Sequence, residues 1–248
     1  MKWHFIAGEA GCRFASERAC TAIVVDALRA SATAAHMLDA GAIEILAVRE
    51  VDDAYALKRQ HPDALLAGER GGLPPEGFDL GNSPREVARV RGRRIIFTTT
   101  TGSGRMMQAR GAHALYMGTT VNASAVARAA LTHGRDVVLV PAGLMTDPAY
   151  SAQEDWVGAV SIAAAAERLL GEIDIGEGGH RYTYWHDRVL CDGIPALFGS
   201  APHAQNLRDV GLAEDIGVCA QVDTVTAAPV AVAFEGAAVR LRDAARGE

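Results

Sequence analysis

Ile23-Val24-Val25-Asp26-Ala27-Leu28-Arg29-Ala30-Ser31-Ala32-Thr33 is the stretch on which the fold turns. An uncharged run, Thr21–Val25, ends on a carboxylate, and an Ala-rich segment follows within a few residues. A short continuous apolar run of this kind reads as a strand buried on both faces. Ser31–Ala40 reads as the helix that follows it. Open α/β sheets bind ligands outside the carboxyl ends of their strands, which is where Asp26 stands. Arg29 and Ser31 fall at the helix start, where free N–H groups and the dipole favour an anion. Asp26 and Ser31 suit a plain helix cap equally well, and the stretch alone leaves both readings open. An aspartate-nucleophile loop with a second Asp two positions on is not matched, because position 28 is Leu.

Working outward, the same unit recurs. Ile43–Val48, Ala64–Ala67, Arg94–Thr99, Ala114–Met117 and Asp136–Pro141 read as further strands. Helices are expected at Val51–Gln60, near Gly104–Ala109 and at Asn122–Leu131. Strand and helix alternating through short connections predict an α/β fold with a largely parallel sheet covered by helices. Ser151–Leu170 reads as a long helix with a small-residue, buried interior. Residues 171–187 are rich in Gly and aromatics without a period, an insertion or a lid. Pro202–Val210 reads as a helix, and Val230–Phe234 with Ala238–Leu241 as a terminal hairpin. With no linker, repeat or low-complexity tract, residues 1–248 are expected to form one domain or two interleaved lobes.

Composition sets the bounds. Of 248 residues, 49% are hydrophobic and 22% charged, ordinary values for a globular chain able to bury a sizeable core. A net charge of −6, with no basic block beyond Arg89–Arg94, argues against nucleic acid as a partner. Cys12, Cys20, Cys191 and Cys219 are scattered, which fits neither a disulfide scaffold nor a zinc site and suits a reducing compartment. No stretch reads as a signal peptide or membrane span, so a cytoplasmic location without membrane partners is expected.

Four other segments carry candidate chemistry. Gly68-Glu69-Arg70-Gly71-Gly72-Leu73-Pro74-Pro75-Glu76-Gly77-Phe78-Asp79-Leu80-Gly81-Asn82-Ser83-Pro84 combines glycines, acids and an aromatic. Its glycines let backbone approach a ligand, and Glu69 with Asp79 offers hard oxygen ligands suited to Mg²⁺. The competing reading is a solvated loop in which Asn82-Ser83-Pro84 starts a helix. Thr98-Thr99-Thr100-Thr101-Gly102-Ser103-Gly104-Arg105 resembles a phosphate cradle or, equally, a Thr-rich strand with a Gly turn. It lacks the Lys of a nucleotide-binding P-loop. Glu154-Asp155 opens a helix, where the dipole favours acids in any case. Asn122, after Gly118-Thr119-Thr120-Val121, is the expected cap of the next helix. The eight histidines form no H-x-x-x-H pair, and His203 is read as a surface or cap residue. Cys219 is read as core.

Together these segments resemble the 2-phosphosulfolactate phosphatase family of coenzyme M biosynthesis. The resemblance rests on Val25–Ser31, Ala67–Gly72, Gly77–Pro84, Thr98–Thr100, Asn122–Ala127, Ala142-Gly143 and Glu154-Asp155. It extends through Asn206-Leu207, Gly211-Leu212, Glu214-Asp215 and Cys219, so order and spacing hold from about residue 21 to 223. It implies a three-layer α/β/α fold and a Mg²⁺-dependent hydrolase of 2-phospho-3-sulfolactate, a small anionic phosphoester. Asp26, Glu69 and Asp79 are then expected to be catalytic and, with Glu154 and Asp155, to hold the metal. Arg29, Ser31, Arg70, Asn82, Thr100, Arg105 and Asn122 are expected to bind substrate. A homodimer is implied at the level of the family. Thr101 stands where the family usually has Asn before Gly, and Leu144–Gln153 also departs. Two rival readings are a phosphatase for another small acidic phosphoester and a non-catalytic anion-binding protein on the same scaffold.

Overall fold

The computed structural model describes residues 1–145, 147 and 149–246. Its strands are β1 Lys2–Phe5, β2 Thr21–Val25, β3 Glu44–Val48, β4 Leu65–Gly68, β5 Arg94–Thr98, β6 Ala114–Met117, β7 Val137–Pro141, β8 Asp174–Ile175, β9 Pro229–Glu235 and β10 Ala238–Asp243. The helices are α1 Gly8–Glu17, α2 Ala30–Asp39, α3 Val51–Gln60, α4 Gly102–Gln108, α5 Ala123–Leu131, α6 Gln153–Leu170, α7 Gly179–Asp192, α8 Ile194–Gly199, α9 Pro202–Asp209 and α10 Ala213–Cys219.

All strands join one mixed, mostly parallel sheet in the order β4-β5-β3-β10-β9-β6-β2-β7-β1-β8. β2 and β7 are buried at every position because helices cover both faces. Ala22 and Val24 pack with α1, α2 and α4 on one face, while Ile23 and Val25 pack with α5 and α6 on the other. A separate cluster seats α3 against β3, β4 and β5. The expected three-layer α/β/α architecture is what the chain forms.

The C-terminal hairpin is present but is no appendage. β10 pairs antiparallel with β3, and β9 meets β6 antiparallel, so the hairpin joins two parallel blocks at mid-sheet. Each block taken alone is a run of parallel pairs.

Residues 171–187 form β8, the edge strand beside β1, and the first part of α7. They wall the sheet's edge and are not among the residues lining the main cavity. No helix follows Asn82-Ser83-Pro84. Helices α8, α9 and α10 pack with Ala27, Leu28, Val157 and Val160, a fourth cluster that roofs the end of the sheet. Among the described residues no helix is long and apolar enough to cross a membrane.

Candidate active site

The roof leaves a cavity of about 470 Å³. Its wall takes Asp26 and Arg29 from the turn after β2, and Glu69, Gly71 and Gly72 from the loop after β4. Thr99–Thr101 follow β5, Gly143 follows β7, and Glu154 and Asp155 open α6. His203, Asn206, Leu207 and Val210 come from one face of α9 and the residue after it, at the i, i+3, i+4, i+7 spacing of a helical stripe. Four strands thus deliver their carboxyl ends to one hollow, as open α/β sheets do.

Asp26 is set by its own turn. Oδ1 accepts the Ala30 N–H at 3.2 Å, while its backbone N–H donates to the Ser31 hydroxyl at 3.0 Å. Ser31 passes that hydroxyl's own proton to Val24 O at 3.2 Å, so its side chain is spent in the β2–α2 connection. Gly102 closes the other side: a Cβ there would lie 2.8 Å from Asp26 Oδ2 and 2.9 Å from the Ala30 methyl. Only glycine lets α4 approach this carboxylate.

Burial, reinforced by Glu69, pushes the Asp26 carboxyl up to about 6, against N–H groups and Arg29, which lower it. Burial with the charge of Asp26 pushes Glu154 up to about 7. Asp155 is raised well above the usual range by burial and by both neighbours. Its oxygens are nevertheless engaged, Oδ1 with Ala27 N–H at 2.8 Å and Oδ2 with Gly143 N–H at 2.9 Å. Asp155 therefore ties the turns after β2 and β7 to the start of α6. Glu69 ties in the same way: Oε1 accepts from the Thr100 backbone and hydroxyl, and Oε2 from Gly72 N–H.

Other expected residues lie elsewhere. Asp79 is outside the cavity wall; its Oδ2 accepts the Leu66 N–H at 2.9 Å, and Oδ1 lies 3.9 Å from Arg89. The expected five-carboxylate centre is therefore not assembled, because the loop returns Asp79 to the flank of β4. Arg70 donates to Glu69 O, Arg49 O and Thr98 Oγ1, pinning its loop to the sheet. Arg105 donates to Ala142 O at 2.9 Å and to Gln108 at 2.8 Å. Asn122 is buried at the N-cap position of α5 but makes no side-chain cap bond to that helix; its Oδ1 accepts the Thr119 N–H, closing the turn before it, and its amide donates to Ala227 O. None of these four lines the cavity.

Among the described residues, three buried polar atoms without a hydrogen-bond partner belong to the wall: Asn82 Oδ1, Tyr150 Oη and Glu154 Oε2. Native folds leave few such atoms, and each one asks for a missing partner. Burial with Glu154 and Asp155 pushes the Tyr150 phenol up to about 12. Burial, with the charge of Arg29, pulls His203 below the ordinary histidine value against the charge of Glu69. Sequence reading does not single out Tyr150, and it takes His203 for a surface or cap residue; the fold puts both on the cavity wall. The α9 stripe was readable only as helical spacing. Positions 146 and 148 of the Leu144–Gln153 stretch lie outside the described residues.

Comparison with known proteins decides the family. The model of the 2-phosphosulpholactate phosphatase family matches residues 12–233. The chain belongs to the 2-phosphosulfolactate phosphatase family. A probable 2-phosphosulfolactate phosphatase of Deinococcus radiodurans is 39% identical across 85% of this chain and 87% of that protein. Its Carboxydothermus hydrogenoformans counterpart is 36% identical over 86% of this chain and 87% of its own length. One from Thermus thermophilus is 37% identical over 84% and 86%. Membership makes the chain an enzyme of the phosphoric monoester hydrolase class.

Proposed function

We propose that the cavity hydrolyses 2-phospho-3-sulfolactate, or a close analogue, to the free alcohol and phosphate, with a divalent cation such as Mg²⁺ bound. The observation that carries this reading is the set of partnerless polar atoms on the wall beside Arg29, within a chain of this family. Charge then asks for a cation. Asp26, Glu69, Glu154, Asp155 and Asp209 line the cavity, while Arg29 is the one Arg or Lys among the described residues that line it. The sequence expectation had three arginines to meet a substrate with three acidic groups; Arg70 and Arg105 are committed to backbone carbonyls elsewhere. A multiply charged anion does not enter such a pocket unless something offsets the carboxylates.

Among the described residues no three His, Cys, Asp or Glu groups stand together as an ion cage. Magnesium needs none, since one or two carboxylates with water and substrate oxygens complete its shell. Asp26 and Glu154 fit that pattern: both carboxyls are raised by burial, the charge of Asp26 raises Glu154 further, and Glu154 Oε2 is buried without a partner among the described residues. Bound there, the ion would polarise the phosphoryl group and offset charge on the leaving oxygen. Phosphoryl transfer asks the protein chiefly for positioning and electrostatics. Arg29 supplies a forked donor set to an oxyanion. Asp155 and Glu69 hold the loops after β2, β4, β5 and β7 in place. Leu28, Leu144, Leu207 and Val210 keep the wall around them apolar.

Phosphate release measured across small phosphorylated acids, with and without Mg²⁺, tests the reading. Turnover is expected to be greatest on 2-phospho-3-sulfolactate and to vanish with chelator. No turnover on any ester, alongside tight binding of one anion, would sink it.

A further inference from the structure

Asp215 on α10 is wholly buried and is not among the cavity-lining residues, yet both of its oxygens are engaged toward the cavity's supporting loops. Oδ2 accepts from Nη1 of Arg29 at 2.5 Å, and Oδ1 accepts the Ser83 hydroxyl at 2.8 Å. Arg29, itself 2% exposed, donates Nη2 to Gly72 O at 2.9 Å. The Gly71–Gly72 bend therefore meets the Arg29 guanidinium, the Asn82–Ser83 bend meets Asp215, and the Arg29–Asp215 pair joins both bends and the turn after β2 to the roof. Neutralising a buried guanidinium needs only the ion pair. Here the partner is itself oriented by Ser83, and the guanidinium is held at two points.

A guanidinium has five N–H donors in a rigid fork, and these two contacts leave the others available on a side chain that lines the hollow. We infer that Asp215 is a positioning residue: with Ser83 and the Gly72 carbonyl, it fixes the Arg29 fork in the orientation that receives a substrate oxyanion. The inference rests on the phosphoester reading of the cavity, and it names the roof helix α10 as part of substrate recognition. Planar carboxylate and tetrahedral phosphoryl or sulfonate oxygens share the chemistry that such a fork recognises.

The test is a double-mutant cycle read in two ways. Inorganic phosphate binding is titrated calorimetrically, and KM and kcat for 2-phospho-3-sulfolactate are measured. The proteins are wild type, Asp215→Asn, Ser83→Ala, Arg29→Ala, and each of the first two variants combined with Arg29→Ala. Asp215→Asn is expected to raise KM and the phosphate Kd about tenfold, with kcat changed less than about threefold. Ser83→Ala, which keeps the ion pair, is expected to raise both constants about two- to threefold. In the Arg29→Ala background either change is expected to add less than about twofold, since its effect passes through the missing guanidinium. Should Asp215→Asn fail to fold, Ser83→Ala carries the same comparison. Equal losses with and without Arg29, or unchanged KM and Kd in the single variants, would overturn the inference. Phosphate binding that depends on Asp215 through Arg29, in a protein that hydrolyses no ester, would sink the phosphatase reading and leave this one standing.

Discussion

Glu44 at the start of β3 and Glu154 at the start of α6 are both almost wholly buried, 1% and 3% exposed, yet their carboxyls are displaced in opposite directions. Burial alone would raise Glu44. Hydrogen bonds from Arg94 at 2.6 Å and Arg242 at 3.0 Å, with the charge of Arg240, outweigh it and hold Glu44 below the usual range. Those arginines come from β5 and β10, so the cluster clamps the mid-sheet hairpin to the parallel block beside it. Glu154 has no such partners, and burial with the charge of Asp26 raises it. One acid is compensated inside the fold, and the other is left in deficit on a cavity wall. Perturbed carboxyls without internal compensation collect where a ligand completes the set.

The largest effect should come from exchanging the two roles. Asp26→Asn is expected to lower kcat by about 10²–10³-fold, with the melting temperature unchanged or raised because a costly buried charge is gone. Steady-state phosphate release and a thermal melt read both sides. Full activity in this variant would remove Asp26 from the centre of the site. Glu44→Gln is the mirror image: kcat is expected to stay within about twofold, while stability falls by about 1–3 kcal/mol. The arginines left behind are only partly buried, which keeps this below the cost of breaking a fully buried pair.

The pH dependence should split the same way. Unfolded carboxyls titrate near 4. Burial lifts Asp26 to about 6 and Glu154 to about 7 in the fold, so from roughly pH 4 to 7 the native state is expected to bind more protons than the unfolded chain. Stability from these groups is therefore full below about pH 4 and lost as pH rises toward 7. Glu44 has the reverse sign, its contribution present above the unfolded value and lost as pH falls through its depressed one. Without divalent cation, Tm should peak near pH 5 and decline on both sides; Asp26→Asn should flatten the alkaline limb and Glu44→Gln the acid limb. A Tm rising steadily from about pH 5 to 8 would contradict the deficit. Saturating Mg²⁺ at about pH 8 is expected to raise Tm by about 2–5 °C, and this gain should disappear in Asp26→Asn.

How legible each region was follows from where its information lies. β2, β3, β5 and β7 were readable because their apolar runs are local. β1 was missed, since Lys2-Trp3-His4-Phe5 mixes polar and aromatic residues, and α1 begins Gly-Glu-Ala-Gly. The hairpin was readable as two runs with a turn, but its place at mid-sheet depends on β3 and β6, far away in sequence. In the site, Asp26 and Glu154 stand at strand and helix ends, positions that pattern reveals. Asp79 lies just 10 residues after Glu69. Loop composition carries no direction, so nothing local showed that the chain turns it away. Asp215 enters the sequence reading only within the resemblance, as Glu214-Asp215, and only the fold brings Arg29 and Ser83 to it.

Smaller effects sharpen the boundary of the uncompensated set. Gly102→Ala would push a methyl against Asp26 Oδ2 and Ala30, and is expected to cost about 1–3 kcal/mol in stability and about tenfold in kcat. Wild-type activity there would mean that the Asp26 geometry is loose. Asp79→Asn should do least. Its carboxylate accepts one N–H from Leu66 and sits 3.9 Å from Arg89, with about a third of the side chain exposed. An amide oxygen can accept the same N–H, and the exposed pairing with Arg89 is worth well under about 1 kcal/mol. Stability should therefore change by less than about 1 kcal/mol and kcat by less than about twofold. A hundredfold loss would instead place Asp79 with Asp26 and Glu154, and the loop after β4 would then have to close inward when substrate binds.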